Sequence, residues 1–117
     1  MTENELLLRT KSFALRVIKL VNALPNNTAG RAIGNQLIRS GTSVAANYRA
    51  ACRGRSKTEF IAKLGTVEEE ADESCLWMEL IIESGLIEEK LVAGLLKEAN
   101  EITAIMASSK MSARGAK

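Results

Sequence analysis

A chain of 117 residues has room for one domain with one core and not for two ordinary domains. Its composition, 46% hydrophobic and 26% charged with a single proline, is that of a folded chain and argues against a turn-rich all-β fold. The net charge is only +2 and there is no histidine, so the commonest general base and the commonest transition-metal ligand are both missing, and we expect neither enzymatic activity nor a metal.

Apolar residues recur at Leu6, Phe13, Val17, Leu20 and Leu24, which predicts a first helix over Leu6 to Leu24. Pro25-Asn26-Asn27 stops it, because the residue before a proline is pushed out of the α region and Asn tolerates turn geometry. Asn27 or Thr28 can cap a second helix running to about Arg53, with an apolar stripe at Ile33, Leu37, Val44, Tyr48 and Ala51. In the middle of that stripe stand Ser40-Gly41-Thr42-Ser43, where small side chains let another helix come close. Gly30 and Gly34, one turn apart, favour close packing for the same reason.

Ser56-Lys57-Thr58-Glu59 matches a capping box and starts the third helix. From there Phe60, Leu64, Val67, Ala71, Ser74, Met78 and Ile81 form a heptad seam, the clearest periodicity in the chain, and Ser84-Gly85 ends it with a glycine placed for a left-handed cap. Leu91, Leu95, Ala99, Ile102 and Met106 mark a fourth helix. The pattern divides the chain into a bundle domain, residues 1–107, and a basic flexible tail, residues 108–117.

Four helices joined by short loops predict an all-α, antiparallel up-down-up-down four-helix bundle. Ile38, Leu76, Leu80, Val92 and Leu96 lie off the main stripes, so a homo-oligomer is expected. No apolar run approaches the roughly 18 residues of a membrane-spanning helix. Cys52 and Cys75 lack zinc-type spacing and no signal peptide precedes them, which points to free thiols in a reducing cytoplasm.

Charge is segregated along the chain. Residues 1–57 hold ten Lys and Arg against two acids, residues 58–117 six against twelve. Arg39, Arg49, Arg53, Arg55 and Lys57 form a basic strip with no acid among them, and Lys63, Arg16 and Lys19 could extend it. Such a strip can face a polyanion, RNA or DNA, or can pair with acids of the third helix or of a neighbouring subunit. Only Tyr48 offers a stacking aromatic beside it, so shape-dominated binding is expected. A buried polar network joining Asn47, Asp72 and Glu73 is expected between the second and third helices. A di-iron site of the bundle type fails, since the second helix has no acid and the chain no histidine.

Leu24-Pro25, the run Gln36 to Val44, Ala46-Asn47-Tyr48-Arg49, Ser56 to Phe60, Lys63-Leu64, Glu70 to Glu73, Trp77, Glu79-Leu80 and Ser84-Gly85-Leu86 stand in one collinear order. On these residues the chain resembles the four-helix-bundle family encoded in intervening sequences of bacterial 23S ribosomal RNA genes. Ala45 stands where that family often has Gly. The resemblance implies a small homo-oligomer, commonly a homopentamer ring, without known catalysis and without a cofactor. A related bundle, the accessory protein of diversity-generating retroelements, binds nucleic acid and a reverse transcriptase through a basic surface. Two functions are therefore carried forward: a nucleic-acid-binding module, and a scaffold around a partner protein whose arginines are structural.

Overall fold

The computed structural model describes residues 1–115. Four helices, α1 Glu3–Asn22, α2 Thr28–Cys52, α3 Lys57–Glu83 and α4 Ala93–Gly115, run antiparallel in chain order as a rod of 50 × 20 × 19 Å. A single 3-10 turn, Glu89–Leu91, leads into α4.

The first three helices begin where a side chain satisfies free backbone donors. Thr2 and Glu5 cap α1 reciprocally, each accepting from the other's backbone N–H. Asn27 accepts from the Gly30 N–H at 2.8 Å to open α2, and Ser56 accepts from the Glu59 N–H to open α3. Gly85 closes α3 with φ 72°, its N–H and that of Leu86 donating to the carbonyls of Ile82 and Ile81. That conformation strains any residue with a Cβ.

The core is mostly aliphatic, with Phe13 and Tyr48 its buried aromatics. Phe13 and Val17 of α1, Leu37 and Val44 of α2, and Ile102 and Met106 of α4 are buried together. The heptad seam of α3 holds from Leu64 to Ile81, while Phe60 sits half-buried at its start.

Two small residues in the middle of α2 set how closely its neighbours approach. A Cβ on Gly41 would lie 2.7 Å from both methyl carbons of Val17, so α1 rests on the bare backbone there. Ser40, on the adjoining face, meets α3 through a 2.8 Å hydrogen bond to the Ser74 hydroxyl. Both hydroxyls are buried and also reach carbonyls of their own helices, Leu37 and Glu70. Gly30 and Gly34 are likewise filled by the α1–α2 connection and by Val21 and Leu24, so within the chain they serve packing.

The fourth helix departs from the sequence reading at both ends. Leu91 lies in the 3-10 turn and is exposed, and Val92, expected off the stripe, is buried instead. At the other end α4 continues to Gly115, so residues 108–115 are helical and belong to the rod where a tail beginning at Ser108 was expected. Lys110 ties this last stretch to α3 by an ion pair with Glu68 at 2.7 Å. Residues 116–117 of the expected tail lie outside the described residues.

The surplus apolar surface is real but differently composed. Ile38 and Leu96 are half-buried and Leu76 and Leu80 exposed. Leu8 and Leu15 on α1, 71% and 61% exposed, join them. No helix among the described residues is long and apolar enough to cross a membrane.

Candidate functional site

The basic strip of α2 divides into two environments. In its middle, Arg39 donates to both carboxylate oxygens of Glu70 at 3.2 Å and also to Glu73. Glu73 additionally accepts from the indole N–H of Trp77 at 3.0 Å, and that bond, followed by Arg39, holds its carboxyl below the usual range. Arg39 is thus a strut between α2 and α3. Arg9 has the same part between α1 and α4, where it donates to Glu98 at 2.7 and 2.8 Å and to Glu101 at 2.8 Å, and these bonds raise its pKa.

At the C-terminal end of α2 the pairing stops. Arg49, Arg53 and Arg55 are exposed, and among the described residues none of the three makes an ion pair. Lys57, exposed on the first turn of α3, stands beside them in the chain. Because Ser40 faces Ser74, Ala51 falls level with Lys63 eleven residues along each antiparallel helix, which brings half-buried Lys63 to this end as well. Glu3, Glu5 and Glu59 are the acids of the same end.

Arg49 and Arg53 stand over a groove of 530 Å³ between the start of α1 and the end of α2. Leu7, Leu8, Ala45 and Ala46 make its floor, Cys52 lines it, and Lys11 joins the two arginines at its edge. Lys11 was not among the residues singled out from the sequence. Its signal lay in the α1–α2 hairpin: Val17 touches Gly41, so counting away from that contact in both helices brings Lys11 level with Asn47.

Arg16 and Lys19 do not extend the strip. They line a separate groove with Leu20, Ile87, Lys90 and Leu91, toward the end where α1 meets its connection to α2. Nor do Asn47, Asp72 and Glu73 form the expected buried network. The Asn47 amide donates to the Ser43 carbonyl of its own helix, Asp72 is exposed, and Glu73 is taken by Arg39 and Trp77. The helical phase explains this: Asp72 follows the core residue Ala71 by one position and is carried round to the outer face.

Tyr48 is 3% exposed, and burial pushes its phenol well above the ordinary value. It stacks on nothing outside the bundle. Burial raises both thiols, Cys75 to about 11, with Asp72 and Glu79 adding to the effect there, so neither is a ready nucleophile at neutral pH. No group of three metal-ligating side chains occurs among the described residues. What the end of the bundle offers chemically is a cluster of exposed cations around an apolar groove.

Residues 2–108 match the family model described as 23S rRNA-intervening sequence protein. Among solved structures the chain is similar to a protein of unknown function from the S23 ribosomal protein family of Bacteroides thetaiotaomicron. The two share 31% identity with a TM-score of 0.87, over 95% of this chain and 99% of that one. No curated protein matches the chain.

Proposed function

The chain belongs to the 23S rRNA-intervening sequence protein family, and from that premise we propose that it is a non-catalytic, cytoplasmic, self-associating bundle that binds nucleic acid through the cations at the α2–α3 end. The observation that carries the reading is the contrast among arginines: Arg9 and Arg39 are consumed by carboxylates, whereas Arg49, Arg53 and Arg55 are exposed and make no ion pair among the described residues. Exposed guanidinium groups replace the counterions of a phosphate backbone, a sequence-independent source of affinity. Self-association is supported by the exposed leucines Leu15, Leu76 and Leu80, and repeating the patch in a homopentamer or another ring would multiply a weak contact. Light scattering across a hundredfold dilution checks it, and a monomer throughout would refute it.

A second reading is favoured by the apolar floor of the groove, since Leu7, Leu8, Ala45 and Ala46 suit a protein partner, such as a reverse transcriptase, better than a phosphate. One experiment separates the two. Binding to a structured RNA is titrated with salt for the wild type and for Arg53→Ala/Arg55→Ala. The nucleic-acid reading expects log affinity to fall steeply with log salt, with a slope shallower by roughly one to two phosphate contacts in the variant. No binding at low salt, or a variant that changes its oligomeric state and keeps the slope, hands the function to the scaffold.

A further inference from the structure

Proteins that take unpaired nucleic acid without sequence preference combine a basic groove with aromatic side chains on which successive bases stack. This chain has four aromatics, and none of them is a fully exposed platform. Phe13 and Tyr48 are buried, while Phe60 and Trp77 are half-buried and packed against the core, the indole N–H of Trp77 being spent on Glu73. No aromatic side chain lines the groove beside Arg49 and Arg53, whose apolar lining is Leu7, Leu8, Ala45 and Ala46. The Asn47 amide, at the level of the groove, donates to the Ser43 carbonyl of its own helix.

We propose that the ligand of this surface is a double helix gripped by its phosphates, and not an unpaired strand. The inference rests on the nucleic-acid reading above and narrows it to a substrate class. Its second support is geometric. Arg49 in the last turn of α2 and Arg53 at its C-cap stand four residues apart, about 6 Å along the helix axis, and Lys11 of α1 lines the same groove. A duplex presents one charge per roughly 1.7 Å of axis against roughly 3.4 Å for each strand taken alone. A cation cluster of fixed length therefore faces a higher and more rigidly held charge density on a duplex. An unpaired strand would also have to be ordered on the surface, and nothing here stacks to offset that loss.

The test is fluorescence anisotropy with the full chain at about 50 mM salt, where phosphate contacts dominate. The probes are an RNA duplex of about 20 base pairs, a DNA duplex of the same length and an unpaired oligonucleotide of equal length, a footprint ample for a few cations. At least one duplex is expected to bind about tenfold more tightly than the unpaired strand. RNA and DNA bound alike identify the shared phosphate chemistry as the ligand, and preference for one duplex identifies its source. An unpaired strand held as tightly as either duplex overturns the inference and leaves nucleic-acid binding standing; failure to bind any probe overturns both. Leu8→Trp supplies the missing platform at an exposed position on the groove floor. It is expected to raise affinity for the unpaired strand at least about fivefold and to change duplex affinity less. Unchanged affinity for the unpaired strand would refute the part assigned to stacking.

Discussion

Arg39 in the middle of α2 and Arg53 at its C-cap are both exposed and meet opposite fates. In the middle of α2 the hydroxyl contact of Ser40 with Ser74 draws α3 in, and Glu70 and Glu73 come within reach of a guanidinium. Fourteen residues on, the partner across the turn is the basic start of α3, with Lys57 and Lys63 as its nearest cations, and Arg53 faces outward. The sign segregation along the chain is therefore spent twice. Its middle section holds helices together, and its end section is left for an external charge.

If the middle is built for closeness and the end for solvent, bulk should be punished only in the middle. Gly41→Leu drives a side chain into Val17 and is expected to cost about 3 kcal/mol, even after the roughly 1 kcal/mol of helix propensity gained over glycine. Ala46→Leu, on the exposed side near the end, should stay within about 0.5 kcal/mol. Urea denaturation of the two variants reads the contrast, and equal losses would erase it.

The same division predicts a crossover between stability and binding. Arg53→Ala/Arg55→Ala should leave the melting temperature almost unchanged and flatten the salt dependence of nucleic-acid binding by about one to two contacts. Arg39→Ala should do the reverse, lowering the melting temperature slightly with the salt slope intact. A common response from both variants would mean that the cations form one functional surface.

The smallest effect is one of pH. Glu73 titrates below its ordinary value of 4.5, chiefly because the Trp77 indole donates to it and secondly because of Arg39. A carboxyl lowered in the folded state contributes fully above its unfolded pKa, and the contribution disappears as pH falls through the folded one. The wild type should therefore lose melting temperature faster than Glu73→Gln as pH falls below 4.5. Parallel acid limbs would show that the Glu73 carboxylate adds nothing to the joint.

The bundle was legible because its signals are local. Caps at Asn27, Ser56 and Gly85 and a heptad seam in α3 each declare themselves within a few residues, and the structure keeps them. The extension of α4 was not, since Ala107, Ser109 and Ala113 are half-buried with side chains too short to register as an apolar stripe. The neutralisation of Arg39 hung on the rotation of α3 about its own axis, and heptad spacing alone leaves open which acids turn toward the partner. Lys11 was hidden by distance along the chain, and only the hairpin of α1 with α2 brings it to Arg49. Tyr48 is the instructive case: its place in the stripe with Val44 and Ala51 already marked it as core, and only its chemistry suggested a surface.

The hydroxyl pair in the core also answers a problem of sliding. A seam that repeats every seven residues is degenerate, because α3 displaced along α2 by one heptad would still lay aliphatic carbon against aliphatic carbon. Such a slip would set Ser40 against Val67 or Ile81 and leave each hydroxyl with only the carbonyl of its own helix. Each hydroxyl has one proton, so a slip exchanges the 2.8 Å bond between helices for the 3.3 Å bond from Ser40 to Leu37, a penalty of up to about 1 kcal/mol that only the wrong alignments incur. Ser40 and Ser74 thus work as a key cut into an otherwise uniform blank, telling two long helices where along each other to stop.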